Sequence, residues 1–218
     1  MTALVWGAAV DRIYETGVDR GVLYLPDVTG DYDTGFAWNG LVSVSEAPSG
    51  AESNKQYADN GVYLNILSAE EFGGTIEAFA FPKEFMLCDG TAAPKLGVYV
   101  GQQTRKPFGL CYRTKVGSAL DAGLGYKLHL VYGALASPSE RSYTTVNDSP
   151  EPLTFSWEFT TTPVTVTGLG ATSIITIDST QVDSGDLAAL ELLLYGAVAT
   201  DPTLPTPDEV IALFTDPV

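Results

Sequence analysis

The chain has 218 residues, 45% of them hydrophobic, which suits one folded domain with or without an appendage and argues against a disordered polypeptide. It carries 27 acidic and 11 basic side chains, a formal net charge of -16. Proteins that bind DNA or RNA through its phosphates are usually basic, so this composition argues against a tight nucleic-acid binder.

Short runs rich in β-branched and aromatic residues, bounded by Gly, Pro, Asp or Ser, predict strands along most of the chain. In chain order they are Gly21–Leu25, Phe36–Val44, Val62–Leu67, Thr75–Phe81, Gly97–Val100, Phe108–Val116, Tyr126–Leu135, Leu153–Phe159 and Ser173–Ile177. The clearest is Leu153–Phe159, where apolar and polar residues alternate, and the alternation resumes at Val164 and Val166 beyond Pro163. Because little room is left for crossover helices, the pattern predicts a mainly β protein, an antiparallel β-sandwich or barrel.

Two helices are predicted near the C-terminus. Asp186–Tyr195 consists of good helix formers and is followed by Gly196, a residue suited to end a helix. Pro207–Phe214 is preceded by Thr206, and Glu209 stands at capping-box spacing from it. We therefore expect a β-domain over residues 1–180 and a helical segment over residues 181–218 that packs on the same domain.

Two long polar stretches, Ser45–Asn60 and Ala136–Ser149, are predicted to be loops between strands. Long loops are uncommon in compact domains and are often functional. We expect the first to reach an adjacent subunit and to become ordered on contact.

The chain has no run of about 18 apolar residues that would predict a membrane helix. Residues Met1–Gly7 lack the basic and apolar regions of a signal peptide. The sequence therefore predicts a protein made and kept in a cytoplasm, where the thiols Cys88 and Cys111 stay reduced as small buried residues.

The residue pattern does not favour an active site. The single histidine, His129, lies in a predicted strand and is interpreted as structural, and the two distant cysteines match no zinc pattern. Neighbouring carboxylates such as Glu70 and Glu71 would point to opposite faces of a strand, unlike a glycosidase pair. We expect no catalytic residues, no cofactor and no metal.

Most of the positive charge lies between Lys83 and Lys127, where it is interleaved with aromatic residues such as Tyr99 and Tyr112. That combination is typical of platforms for single-stranded nucleic acid. The interpretation we favour is that these cations pair with the abundant acidic side chains within or between subunits.

Several short runs, in order along nearly the whole chain, resemble the major tail proteins of long-tailed phages of Gram-positive bacteria. The runs are Tyr14–Pro26, Ala37–Leu41, Tyr57–Asn60, Leu67–Phe72, Glu77–Phe81, Gly101–Gly109, Leu110–Thr114, Tyr126–Tyr132, Ala136–Ser139, Val146–Pro150 and Pro207–Phe214. Each run is weak alone, and the ordered set is more specific than any one of them.

The resemblance implies a tail-tube β-sandwich or barrel with a flanking helix. It implies homo-hexameric rings that stack into a hollow tube, which conducts genomic DNA into the host without binding it specifically. It also implies a virion tail assembled in the host cytoplasm, tape-measure and tail-tip or terminator proteins as partners, and a non-contractile, siphophage-type tail. The residues expected at contacts between subunits or rings are Glu46, Ser49, Glu52, Asn54, Lys55, Tyr57, Asp59, Ser139, Glu140 and Arg141.

Two other functions remain open from sequence. A virion-borne carbohydrate- or surface-binding β-sandwich module would place aromatics such as Tyr24, Trp38 and Tyr63 on an exposed face. A sandwich-fold hydrolase would need a cleft with two carboxylates at glycosidase separation.

Overall fold

The computed structural model describes residues 6–7, 12–145, 148 and 152–214. The strands of this part of the chain are β1 (Ile13–Leu25), β2 (Thr34–Trp38), β3 (Leu41–Glu46), β4 (Ser49–Gly50), β5 (Ser53–Ala58), β6 (Gly61–Leu67), β7 (Glu70–Glu71), β8 (Gly73–Ala78), β9 (Ala92–Lys95), β10 (Val98–Val100), β11 (Phe108–Ser118), β12 (Gly125–Ala136), β13 (Phe155–Thr161) and β14 (Ile174–Asp178). A 3-10 helix spans Lys83–Leu87, and the α-helices are α1 (Ser184–Tyr195) and α2 (Pro207–Leu213).

Eight strands form one antiparallel sheet in the order β2-β1-β11-β12-β13-β8-β3, with β14 paired to β12. The two end strands, β2 and β3, are joined by a short turn in which Gly40 has a φ of +82°. The sheet must therefore curl so that its ends approach each other. Strand β1 meets β3 at Gly21, where a Cβ would lie 2.4 Å from Leu41 Cδ1. The predicted mainly β, antiparallel fold class is confirmed.

The concave face of the curled sheet holds one hydrophobic core. It is dominated by aromatic side chains from several elements, including Trp38, Phe85, Phe108, Tyr112 and Trp157, all almost fully buried. The rings of Trp157 and Phe85 meet edge to face with their centroids 5.0 Å apart. Such pairs contribute beyond the area they bury, so this cluster is a major source of stability.

A second core lies on the opposite face of the sheet, under the helices. Leu187, Leu190 and Leu194 of α1 are buried on one side of the helix, at the spacing that puts them on one face. Two buried tyrosines bond the sheet to the helical segment: Tyr24 donates to the Leu194 carbonyl (2.7 Å) and Tyr132 to the Pro205 carbonyl (2.9 Å).

The helix ends follow the sequence signals. The Asp183 carboxylate caps α1 by accepting from the N–H groups of Gly185 and Asp186, and Gly196 ends it with a φ of 71°. Thr206 and Glu209 form the predicted capping box of α2. Both predicted helices are confirmed, with α2 ending at Leu213.

Strand β12 contains a bulge at Gly133 that reverses which of its alternating side chains face each core. Leu128, Leu130 and Tyr132 face the helices, whereas Ala134 and Ala136 face the aromatic core. Gly133 has a φ of +59°, and a Cβ there would lie 2.5 Å from the Thr162 carbonyl oxygen. A glycine is therefore required at this bulge.

Three sequence predictions were wrong in detail. Phe36–Val44 is not one strand, since the Asn39–Gly40 turn divides it into β2 and β3. The stretch Ser45–Asn60 is not a loop but contains β4 and β5, because a partner strand elsewhere in the chain pairs with each of them. Val164 forms only an isolated bridge with Thr172 and does not resume a strand.

The predicted loop Ala136–Ser149 has no strand beyond Ala136 in its described residues, and its positions 146, 147 and 149 lie outside them. Positions 1–5 of the stretch tested for a signal peptide also lie outside the described residues. Neither α-helix in the described ranges is long and apolar enough to cross a membrane.

Candidate assembly surface

A long two-stranded arm, residues 47–72, extends from the edge of the sheet where β3 pairs with β8. The ribbon continues outward through the pairs β4–β7 and β5–β6. Its stem is held by backbone bonds, from the Ala47 N–H to the Gly73 carbonyl (2.7 Å) and from the Ser68 N–H to the Glu52 carbonyl (3.0 Å).

The arm ends in a tight turn at Asp59 and Asn60, whose φ angles are +50° and +60°. Positive φ at both residues of a two-residue loop is typical of a type I′ turn, whose twist matches that of the flanking strands. After glycine, Asp and Asn adopt positive φ most readily. The dipeptide followed by Gly61 is a local sequence signal for this hairpin, although the hairpin was not among the predicted elements.

The outer strand of the arm, β6, is apolar on both faces. Val62, Leu64 and Ile66 alternate along it with Tyr63 and Leu67, and each of these side chains is more than half exposed. Tyr57 on the partner strand β5 is 71% exposed. An apolar run interrupted only by Asn65 is typical of a strand covered on both sides, so the arm exposes an apolar surface of the kind found at protein interfaces.

A second hairpin, residues 91–106, contains β9 and β10 and begins just after the 3-10 helix. Its turn exposes Leu96 completely, and Tyr99 of β10 is 61% exposed. Its base is tied to the fold where the Gln103 N–H donates to the Gly90 carbonyl (2.9 Å) and the Lys106 N–H to the Leu87 carbonyl (3.1 Å).

The residues predicted at subunit contacts fall into two places. Glu46 lies at the base of the arm, and the arm itself carries the larger group: Ser49, Glu52, Asn54, Lys55, Tyr57 and Asp59. Ser139, Glu140 and Arg141 lie in the connection between β12 and β13. The exposed apolar residues of β6 were not among the predicted contacts, although their nearly unbroken apolar run could have indicated them.

Arg141 is held within its own chain. Its guanidinium pairs with the Asp89 carboxylate, whose side chain is 9% exposed, and lies over the rings of Phe155 (5.5 Å) and Phe81 (6.0 Å). The same carboxylate accepts the indole N–H of Trp157 at 3.2 Å. Arg141 therefore fastens the β12–β13 connection across the end of the aromatic core.

Replacing this arginine, Arg141→Ala, is expected to lower the free energy of unfolding by about 1–3 kcal/mol, because a nearly buried carboxylate loses its cation. Urea unfolding measures the change, and a double-mutant cycle with Asp89→Asn separates the pair from the ring contacts. An unchanged unfolding midpoint in Arg141→Ala would contradict this role.

His129 lies on the inner face of β12 at the base of the arm. Its ring stacks on Tyr112 with centroids 4.7 Å apart, and its Nδ1 lies 3.2 Å from Glu46 Oε1, which also accepts from the Tyr112 hydroxyl at 2.5 Å. Thr114 Oγ1 lies 3.0 Å from its Nε2. Burial lowers the pKa of His129 below its ordinary value of 6.5, against the opposing influence of Glu46.

This shift predicts a pH dependence of stability. With the folded pKa below 6.5, the unfolded chain binds the proton first as pH falls. Stability should therefore be full above pH 6.5 and decline as pH drops from 6.5 toward the folded pKa. Urea unfolding at about pH 7.5, 6.5 and 5.5 should show the decline in the wild type and a flatter profile in His129→Gln, since the chain has one histidine. Parallel profiles would refute the assignment.

Neighbouring carboxylates of the kind considered for catalysis lie in two places. Glu70 and Glu71 are exposed on β7, side by side along one strand. A cleft of about 760 Å³ lies beside α2 and is lined by Asp31, Asp33 and Glu209 among others. Within it, Glu209 accepts from the Thr206 N–H and Asp31 from the Thr29 hydroxyl, as cap and turn groups do.

Cys88 and Cys111 are free and buried, as predicted, and burial raises the pKa of each thiol to about 12. Across the described ranges, no three His, Cys, Asp or Glu side chains are grouped so that they could hold a metal ion. Tyr24 and Trp38, which a sugar-binding face would expose, are buried in the two cores, and of the three aromatics named for that function only Tyr63 is exposed.

No family model matches the chain, and no curated protein matches it. Among solved structures, the chain is similar to one from the PVC sheath-tube complex of an extracellular contractile injection system, determined by cryo-EM in the extended state. The two chains are 13% identical with a TM-score of 0.40, over 73% of this chain and 88% of that one.

Proposed function

We propose that this protein is a structural subunit of a phage tail tube and not an enzyme. In this proposal, subunits form hexameric rings that stack into a channel for delivery of the genome into the host. The proposal extends the resemblance found in the sequence, which runs in order along nearly the whole chain. The virion tail, assembled in the host cytoplasm, is the location that follows, with tape-measure and tail-tip or terminator proteins as partners.

The observation that carries the proposal is the arm, and above all strand β6. An isolated two-stranded hairpin is marginally stable in water, and this one exposes apolar side chains on both faces. Burying a fully exposed aliphatic side chain contributes about 1.5–3 kcal/mol. The aliphatic side chains of β6 are half to two-thirds exposed, so covering the arm would contribute several kcal/mol of binding free energy.

A second copy of the chain is the partner that fits this ribbon best. The arm is a β-ribbon continuous with the sheet, and a ribbon edge pairs readily with another strand. An arm that inserts into a different surface of the neighbouring copy makes a head-to-tail contact, which closes into a ring or extends along an axis.

The charge of the chain suits a DNA conduit. With a net charge of -16, the assembled subunits would repel phosphates, so DNA would slide through a lumen without adhering to its wall. The same charge keeps an abundant unassembled subunit soluble.

Negative-stain electron microscopy of the purified protein, with light scattering at rising concentration, tests the proposal. Hollow rings or tubes of uniform diameter are expected. A particle that stays monomeric at every concentration, alone and with tail-tip proteins added, would contradict it.

A further inference from the structure

The hairpin at residues 91–106 differs in charge from the rest of the molecule. It carries Lys95, Arg105 and Lys106 and no acidic residue, in a chain with 27 acidic and 11 basic side chains. Lys95 and Lys106 are exposed, whereas Arg105 is half-buried and donates to the Asp89 carbonyl at 3.1 Å. The hairpin is therefore a basic and partly apolar projection from an acidic protein.

The arm has the opposite charge. Residues 47–72 include four acidic side chains, Glu52, Asp59, Glu70 and Glu71, and a single lysine, Lys55. All five are exposed. The pair Glu70 and Glu71 lies at the stem of the arm on β7, and Glu52 precedes β5.

The two hairpins form separate two-stranded sheets within the subunit, and both expose apolar strands. Each therefore presents strand edges, uncovered apolar side chains and a charge opposite to that of the other. Complementary charge fixes the register and partner of an interface, whereas apolar burial supplies most of its affinity.

We propose that the basic hairpin of one copy docks on the acidic arm of the next copy. This inference rests on the proposed function and names the surface that receives the arm. The interface joins different surfaces of identical chains, so each copy offers one arm and one basic hairpin, and the contact propagates from copy to copy.

A nucleic acid is the other polyanion that a basic hairpin could meet. Only two of its three cations, Lys95 and Lys106, are exposed, whereas a protein that holds duplex DNA by its phosphates can make about six to ten such contacts. The apolar strands at its side also have no counterpart on a phosphate backbone. The arm of a second copy offers acidic side chains for the cations of the hairpin and an apolar strand for its apolar strands.

Paired charge reversals test the docking. The variant Lys95→Glu/Lys106→Glu makes both surfaces acidic, and Glu70→Lys/Glu71→Lys makes both basic. Each alone is expected to raise the concentration needed for assembly by roughly tenfold or more, because like charges then face each other. A 1:1 mixture of the two variants should regain assembly, since the acidic arm of one meets the basic hairpin of the other.

The matched control for the lysine reversal is Lys83→Glu/Lys115→Glu, which changes the net charge equally at exposed lysines that belong to neither hairpin. It should assemble close to the wild type. Light scattering and electron microscopy measure assembly, and circular dichroism confirms that each variant is folded.

The outcomes separate this inference from the proposed function. If the wild type assembles and Lys95→Glu/Lys106→Glu assembles equally well, the docking is wrong and self-assembly stands. If each reversal blocks assembly but the mixture does not restore it, the two hairpins do not face each other. If the reversal leaves assembly intact but abolishes retention on a DNA oligonucleotide column, the hairpin binds nucleic acid. A wild-type chain that never assembles contradicts both proposals.

Discussion

Removing the outer part of the arm, residues 53–67, and joining Glu52 to Ser68 through an Asn-Gly turn should abolish self-assembly and leave the subunit folded. The Ser68 N–H donates to the Glu52 carbonyl at 3.0 Å, so the two ends already lie side by side and a tight turn can join them. None of the excised residues belongs to either hydrophobic core. The thermal midpoint should therefore change by only a few degrees.

The size of the assembly effect follows from β6. Val62, Leu64 and Ile66 are about half exposed, so covering all three would contribute about 3 kcal/mol, which is roughly a hundredfold in affinity at each contact. The triple variant Val62→Thr/Leu64→Thr/Ile66→Thr keeps the strand and removes most of this term. It should raise the assembly concentration by about the same factor.

Exposed apolar residues away from the arm provide the control. Leu169 and Val198 are 70% and 101% exposed, and Leu169→Ser/Val198→Ser removes apolar surface without touching the arm. This control variant is expected to assemble like the wild type. Tubes or rings formed normally by the excised chain would mean that the arm is not the assembly element.

Replacing the central tryptophan, Trp157→Ala, should cost about 3–5 kcal/mol of folding free energy and is the most damaging single substitution that we expect. Trp157 is 1% exposed, and its ring meets those of Phe85 at 5.0 Å, Phe81 at 5.3 Å and Trp38 at 5.8 Å. Its loss leaves a cavity among rigid rings from different elements, and the surrounding sheet cannot close over it.

A matched variant divides the loss between packing and hydrogen bonding. Trp157→Phe keeps an aromatic ring but removes the indole N–H that donates to Asp89. It should cost less than Trp157→Ala, and the cost should shrink further in an Asp89→Asn background. Urea unfolding, monitored by circular dichroism, gives the free energy of unfolding of each variant. An alanine variant within about 1 kcal/mol of the wild type would show that the cluster is not the centre of the core.

Several elements were predictable because their signals are local. The alternation that ends in Trp157 and Phe159 places these two residues inside and Glu158 outside, as β13 confirms. The capping box of Thr206 and Glu209 and the stop at Gly196 depend on hydrogen bonds or φ angles within a few residues. Cys88, Cys111, Trp38 and Trp157 are buried as their residue types predict.

Only half of the arm was predicted, because its first strand has no apolar pattern. Strand β5 reads Ser-Asn-Lys-Gln-Tyr-Ala, which composition alone assigns to a loop, and it becomes a strand because its backbone pairs with β6. Strand β6 was predicted from its apolar residues, but its exposure was not. Whether an apolar strand is covered depends on where the sheet ends, and that is a property of the whole topology.

Sequence alone therefore determined the mainly β class, the two helices with their caps and the inward side of β13, with Trp157 and Phe159. Hydrophobic periodicity, helix capping and residue size act over a few positions and do not depend on partners far along the chain. Only the tertiary structure decided how the sheet curls between β2 and β3 and where the arm and the basic hairpin project. It also decided that the bulge at Gly133 reverses which side chains of β12 face each core. These features arise from pairings between strands distant in sequence, whose register and order no local pattern specifies.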